Sequence, residues 1–186
     1  MTAVSSTDRS PGFVRADGPD KVTGSGRYAA DLELPGMLHA KFLYSAHGHA
    51  RITRLDPSAA RARPGVLAVL TADDVPDVRY SAGVADRRLF ARDIVRFEGE
   101  VVAAVAATTA EAAEAAVAAI EIDYEPLAPI VDLEAAAADD SPLVHEGWED
   151  YKADTERSNN VASFSSITKG DVEAGMASAQ TVVSSR

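Results

Sequence analysis

The run Val101-Val102-Ala103-Ala104-Val105-Ala106-Ala107, then Thr108-Thr109-Ala110-Glu111, then an Ala/Glu stretch to Ala119, then Ile120-Glu121-Ile122-Asp123-Tyr124 decides the fold. Seven consecutive apolar residues of strand length are expected of a strand buried on both faces. Thr108 to Glu111 fits a capping box, with Glu111 placed to reach back to the cap amide. Residues 110–119 are almost all Ala and Glu, which are strong helix formers. Residues 120–124 alternate apolar with charged, the period of a half-exposed strand. The pattern is strand–helix–strand. Such units normally cross over right-handed and pair in parallel, so the sequence predicts a mixed α/β fold with a mixed sheet.

A second unit lies upstream. Residues 50–55 read as a strand, Asp56 as an N-cap whose carboxylate accepts from orphan amides, and Pro57 as the first helical position. Arg63-Pro64-Gly65 stops that helix and residues 66–70 resume a strand. Thr71 to Pro76 reads as a single capped turn. Residues 27–32 and 38–44 are further strand candidates, separated by a turn at Leu34-Pro35-Gly36-Met37. Residues 1–14 are polar with Ser, Pro and Gly, a flexible arm. After Pro126 regular structure thins. A short helix is expected over 133–139, a polar extended stretch over 140–160, a strand over 161–168, a helix over 172–179 opened by Gly170-Asp171, and a strand beginning at 181. A domain that stops as a strand begins is expected to be one piece of a longer or split polypeptide.

Composition narrows the classes. The chain has 186 residues, 46% hydrophobic and 25% charged, enough for a core without covalent staples. It has no cysteine, which excludes disulfides, thiolate metal sites and cysteine nucleophiles within the sequence. No apolar run reaches the length of a membrane span and no secretory signal is visible, so a cytoplasmic location without membrane contact is expected. The net charge of −11 is uneven: residues 1–100 hold 14 Lys/Arg against 13 Asp/Glu, residues 101–186 hold 4 against 16. That acidic second half argues against nucleic acid as a partner, since phosphate needs clustered cations. Either it keeps an alanine-rich region soluble or it faces a basic partner subunit.

No constellation of catalytic type emerges. His47-Gly48-His49 would put two imidazoles on one face of an extended segment, half of a metal site, but no spacing specifies a third ligand. A strand-end turn or a partner contact is the plainer reading. Gly24-Ser25-Gly26 lacks the third glycine of a dinucleotide fingerprint and reads as a turn. Serine never occurs in Gly-x-Ser-x-Gly. Asp73-Asp74 and Asp139-Asp140 suit capping and solvation. Asp86 to Asp93 reads as a solvated charged loop with one apolar anchor, with docking as its alternative. Trp148 and Tyr151 are candidate interface aromatics. The catalytic, cofactor-binding and metal-ligating residue sets are each expected to be empty.

Several stretches in order resemble one family. They are Arg15-x-Asp17 with Lys21-Val22-Thr23-Gly24, Arg27-Tyr28 with Asp31, Leu34-Pro35-Gly36-Met37-Leu38, Ser45-Ala46-His47-Gly48-His49-Ala50-Arg51-Ile52, and Pro64-Gly65-Val66. Val95-Arg96-Phe97 with Gly99-Glu100, Tyr124-Glu125-Pro126-Leu127 and Gly170-Asp171-Val172 continue the series. Together they resemble the opening of the large subunit of molybdenum hydroxylases: xanthine dehydrogenases, aldehyde oxidases and aerobic carbon monoxide dehydrogenases. Ala46 and Gly48 depart from the family's Ser-Pro-His-Ala-His-Ala-Arg-Ile. The resemblance implies an α/β-hammerhead over 15–135 and an extended connector over 136–186 that leads toward a molybdopterin-binding region. It implies a non-catalytic module that binds no cofactor alone. The complete enzyme would carry molybdopterin with molybdenum, iron–sulfur clusters and FAD, and would have iron–sulfur and flavin subunits as partners. It would hydroxylate a heteroaromatic or aldehyde carbon with water-derived oxygen, or oxidise carbon monoxide. A free-standing scaffold of the same fold, without redox activity, is the alternative. Gly99 is expected in a tight turn with positive φ.

Overall fold

A computed structural model describes residues 15–153 and 158–184. The proposed arm at 1–14 lies outside them. The chain divides into two units, Met1–Met37 and Leu38–Arg186.

Within the described part of the first unit, helix α1 (Gly18–Thr23) starts with Pro19 in its first turn and ends at Gly24. Gly24 has φ +71°, the left-handed C-cap that releases a helix. The strand expected over 27–32 is absent, and a 3₁₀ turn occupies Ala29–Asp31. The Tyr28 amide donates to the Asp31 carboxylate at 2.9 Å. A local side-chain acceptor thus takes the amide that a sheet would need.

In the second unit, β1 (His39–Tyr44), β2 (Ala50–Asp56), α2 (Ser58–Arg61), β3 (Val66–Leu70), β4 (Ile94–Val95), β5 (Val101–Ala107), α3 (Ala110–Val117), β6 (Glu121–Pro126), α4 (Leu133–Ala137) and α5 (Val172–Ser178) follow in order. Helix and strand alternate as the sequence predicts, but the pairing differs. Two three-stranded sheets form, ordered β1-β5-β3 and β4-β2-β6. Every ladder is antiparallel, which corrects the expected parallel pairing and mixed sheet. Each strand–helix–strand unit sends its two strands to different sheets. β2 and β6 belong to one, β3 and β5 to the other. Helix α2 has only four residues, too short for the crossover that parallel neighbours require.

The caps explain where the helices begin. α2 starts one residue later than read: Pro57, not Asp56, is its N-cap, and the Asp56 carboxylate accepts from the Ser58 amide at 2.9 Å just ahead of it. α3 starts one residue later than the capping box implies: Thr109 is the N-cap, and its Oγ1 accepts from the Ala112 amide at 3.1 Å. Thr71 and Asp74 form the anticipated capped turn, with the Thr71 amide donating to Asp74 at 2.8 Å.

The core is built from small side chains. Ala103, Val105 and Ala107 of β5 pack under Ala113 and Ala116 of α3, joined by Ala60, Val69 and Ile120. Alanine at both surfaces lets α3 lie close against the sheet, and small facing side chains fill that space without voids. A second cluster, Ala50, Ala91, Val95 and Val102, sits against the sheet containing β2.

The expected strands over 161–168 and from 181 do not form. Only an isolated Ser158–Val161 bridge appears there. Every described residue from Val161 to Val183 is exposed. A strand needs a second strand for its amides and carbonyls, and none among the described residues is offered to this segment.

Candidate functional site

The histidine-containing stretch and two other quoted stretches converge on one corner. The Ser45 amide donates to the Glu100 carbonyl at 2.8 Å, and the Gly99 amide donates to the Ser45 carbonyl at 2.9 Å. Gly99 has φ +88°, as anticipated. The Ser45 hydroxyl is also the acceptor for the His47 amide at 3.0 Å. Register places Ala50 opposite both Val95 and Pro126, and Ile52 opposite Tyr124. Stretches 45–52, 95–100 and 124–127 therefore form one hydrogen-bonded junction between the two sheets.

The imidazoles of this corner have separate partners. The His47 ring lies 4.8 Å from the Tyr124 ring, tilted at 59°. His49 Nδ1 donates to the Ala128 carbonyl at 2.8 Å. Among the described residues, no group of three or more His, Asp or Glu side chains gathers at metal-binding spacing.

Next to the corner, a cleft of about 570 Å³ is lined by Tyr80, Arg87, Leu89, Phe97, Glu100 and His145, among others. The Glu100 carboxylate accepts from the Arg96 amide at 2.5 Å and so closes the turn that carries Gly99. Burial pushes this carboxyl above its usual range, against the lowering pull of the Arg96 and Phe97 amides. Burial pulls the His145 imidazole below its ordinary value; the Arg96 guanidinium acts in the same direction and Asp86 opposes both.

Three arginines nearby are committed. Arg96 Nε donates to the Val144 carbonyl at 2.9 Å, and its terminal nitrogen to Ile94 at 3.2 Å. Arg88 holds Asp77 at 2.6 Å. Arg92 binds Asp73 at 2.9 Å and also donates to the Ala72 carbonyl. Asp73 and Asp74 thus serve pairing and capping, while Asp139 and Asp140 stay on the surface. The segment Asp86 to Asp93, expected as a solvated loop with one apolar anchor, keeps Arg87, Leu89 and Asp93 exposed but buries Phe90 and Ala91. Phe90 and Ala91 are 4% and 3% exposed, and the Ala91 amide donates to Val101 at 2.8 Å.

Tyr151 also departs from its expected exposure. It is 5% exposed, with the Arg79 guanidinium 4.0 Å above its ring, the His145 ring edge-on at 5.7 Å, and its hydroxyl donating to the Glu146 carbonyl. Trp148 is half-buried. Asn160 carries an unanticipated role. Its Oδ1 accepts from the Val144 amide at 2.9 Å, and its Nδ2 reaches the Pro142 and Ala136 carbonyls at 2.9 and 3.1 Å. An Asn pair in a polar stretch gives no sequence signal for such a clasp.

A phosphate-bearing pterin needs backbone amides or cations free to receive it. Here Arg88 of the cleft wall holds Asp77, and the Gly99 amide is spent on Ser45. Iron–sulfur ligation needs thiolates, and the sequence has none.

The architecture defines a class: a mixed α/β module in which strand–helix–strand units bridge two small antiparallel sheets. The chain belongs to the aldehyde oxidase and xanthine dehydrogenase a/b hammerhead domain family, whose pattern matches residues 23–128. It is 39% identical over 131 residues to the carbon monoxide dehydrogenase large chain of Afipia carboxidovorans, covering 68% of this chain and 16% of that one. It is 36% identical over 160 residues to the xanthine dehydrogenase molybdenum-binding subunit of Escherichia coli O157:H7, covering 80% of this chain and 21% of that subunit. Among solved structures, quinoline 2-oxidoreductase from Pseudomonas putida 86 superposes with a TM-score of 0.61 at 38% identity, covering 66% of this chain and 17% of that one. The chain thus spans about a fifth or less of the length of these relatives. Among the described residues, no helix is long and apolar enough to cross a membrane.

Proposed function

We propose that this chain is a non-catalytic module of a molybdopterin-dependent hydroxylase or dehydrogenase, in which it supports the molybdenum region and the electron-transfer partner. The hammerhead occupies 15–135 and the connector 136–186. The observation that carries the reading is the asymmetry of the match to the E. coli molybdenum-binding subunit: four-fifths of this chain, one-fifth of that subunit. The converged corner supports it, because three of the stretches that carry the family likeness are spent on joining two sheets. The complete enzyme hydroxylates a heteroaromatic or aldehyde carbon with oxygen from water, or oxidises carbon monoxide. Molybdopterin belongs to the remainder of the large subunit, and the iron–sulfur clusters and flavin to partner subunits in the cytoplasm.

The test is affinity purification of the tagged chain from its own source, with molybdenum and iron measured per chain and partners identified by mass spectrometry. About one molybdenum per chain, with a larger cofactor-bearing partner or fusion, is the expected result. A metal-free chain without such a partner overturns the reading in favour of a free-standing scaffold.

A further inference from the structure

Residues 142–153 cross the second unit as a strap held mainly by polar contacts. Neither hydrophobic cluster includes any of them. Arg96 Nε donates to the Val144 carbonyl at 2.9 Å, and the Ala85 amide to the Lys152 carbonyl at 2.8 Å. Val84 and Ala153 form an isolated antiparallel bridge. Tyr151 is the buried anchor, its ring taking the Arg79 guanidinium at 4.0 Å and the edge of His145 at 5.7 Å. A segment with few buried apolar contacts opens at a lower free energy than the core it lies on. The strap lies beyond the residues 23–128 that match the family.

Charge gathers where the strap meets the rest of the unit. A void of about 10 Å³, room for one water at most, sets His145 and Tyr151 of the strap against Asp86, Arg88, Arg92, Arg96 and Glu100. Tyr80 and Arg87 stand across the adjoining cleft. Asp77 neutralises Arg88, and Asp73 neutralises Arg92. Arg79, Arg87 and Arg96 have no carboxylate partner among the described residues. Three guanidinium groups therefore stand against the two carboxylates of Asp86 and Glu100. The charged side chains of the strap itself, Glu146, Glu149, Asp150 and Lys152, are exposed. An imidazolium at 145 adds a fourth cation where too little water enters to solvate it. Burial and the Arg96 and Arg79 guanidiniums hold His145 below its ordinary value, and Asp86 opposes them. Glu100 takes up its proton above the usual carboxyl range, which eases its own burial but removes one of the two facing anions.

We infer that residues 142–153 are a pH-operated strap: protonation of His145 sets an imidazolium beside Arg96 and Arg79 and releases the strap, while the two core clusters stay folded. The hold of the strap is full above about pH 6.5 and is lost as pH falls through the folded value of His145. Release frees the stretch through which the chain leaves residues 23–128.

The single tryptophan of the chain, Trp148, lies within the strap and is half-buried, so acrylamide quenching of its fluorescence reads the strap. The regular structure of the strap is one 3₁₀ turn, Trp148–Asp150, so far-UV circular dichroism reads the remainder. Both are followed on the 186-residue chain between about pH 7.5 and about pH 5.5 at fixed ionic strength. Quenching that rises about twofold as pH falls, with dichroism unchanged, is the expected result. His145→Gln and His145→Phe, the second keeping a ring against Tyr151, should each hold quenching at its neutral-pH value throughout. Quenching in the unaltered chain that does not change with pH overturns the strap. A rise that persists in both variants also overturns it, because another group then titrates. A dichroism change that accompanies the rise does the same, because the whole unit then unfolds.

Discussion

Residues 101–126 and residues 159–184 share an order of parts: an extended stretch containing apolar residues, a polar cap, a short helix, and a second extended stretch. In both the cap forms. Thr109 accepts from Ala112 and Asp171 accepts from Ala174 at 2.9 Å. Only the first region makes strands. β5 finds β1 on one side and β3 on the other, and β6 finds β2. The second region has α5 with Val172 and Met176 more than half exposed, flanked by Phe164, Ile167 and Val183, which are exposed to 68%, 96% and 84%. A cap needs only the three residues that follow it, whereas a strand needs a partner across space. The difference locates where the folded unit is complete within itself and where its apolar residues await cover.

Several measurements break or sharpen this contrast. The largest effect is expected from the core. Val105→Ala should cost about 2 kcal/mol in urea unfolding, because the fully buried methyls leave a void beneath α3. Ile167→Ala should change stability by less than about 0.5 kcal/mol, the level of ordinary surface substitutions. Equal losses would mean that the tail packs as the core does.

The next comparison sets two glycines against each other. Gly65 has φ +81°, and an added Cβ would lie 2.9 Å from Thr108 Oγ1. Gly99 has φ +88° with nothing within 4 Å of that position. Gly65→Ala should cost roughly 2 kcal/mol from strain plus contact, and Gly99→Ala about 1 kcal/mol from backbone alone. Melting curves of the pair check it, and the reverse order would refute the close approach at Thr108.

The caps give a smaller effect. Thr109→Ala should destabilise the unit by about 1 kcal/mol. Asp171→Ala should leave the main unfolding transition in place while reducing helical signal, since α5 packs on nothing described. A shared transition shift would tie α5 to the core.

The smallest expected effect is pH-dependent. His145 is held below its ordinary value of 6.5, so the unfolded chain takes up the proton first as pH falls. The associated stability is full above about 6.5 and lost as pH descends through the folded value. Glu100, pushed up, works oppositely: its carboxylate charges at a cost as pH rises past the unfolded value. His145→Gln should therefore flatten the loss of Tm between neutral pH and about 5.5, and an unchanged slope would remove His145 from the account.

Local chemistry in this chain was legible from residue order. The apolar run at 101–107 became β5 with the same limits, Thr71 to Asp74 became a capped turn, and Gly99 took positive φ. The ordered short stretches likewise carried the family. Burial of the loop with Phe90, the clasp made by Asn160 and the interior position of Tyr151 were not legible, because each depends on groups many residues away: Val101 for Ala91, Val144 for Asn160, Arg79 for Tyr151. The sequence by itself determined most of the elements between residues 38 and 126, their caps to within a residue, and the kinship, since those follow from backbone conformation and neighbours within a turn. Only the tertiary structure decided the sheets. Whether two strands joined by a helix lie side by side or in separate layers depends on which partners close the remaining hydrogen bonds, and here β1 and β2, not each other, were the partners that β5 and β6 found.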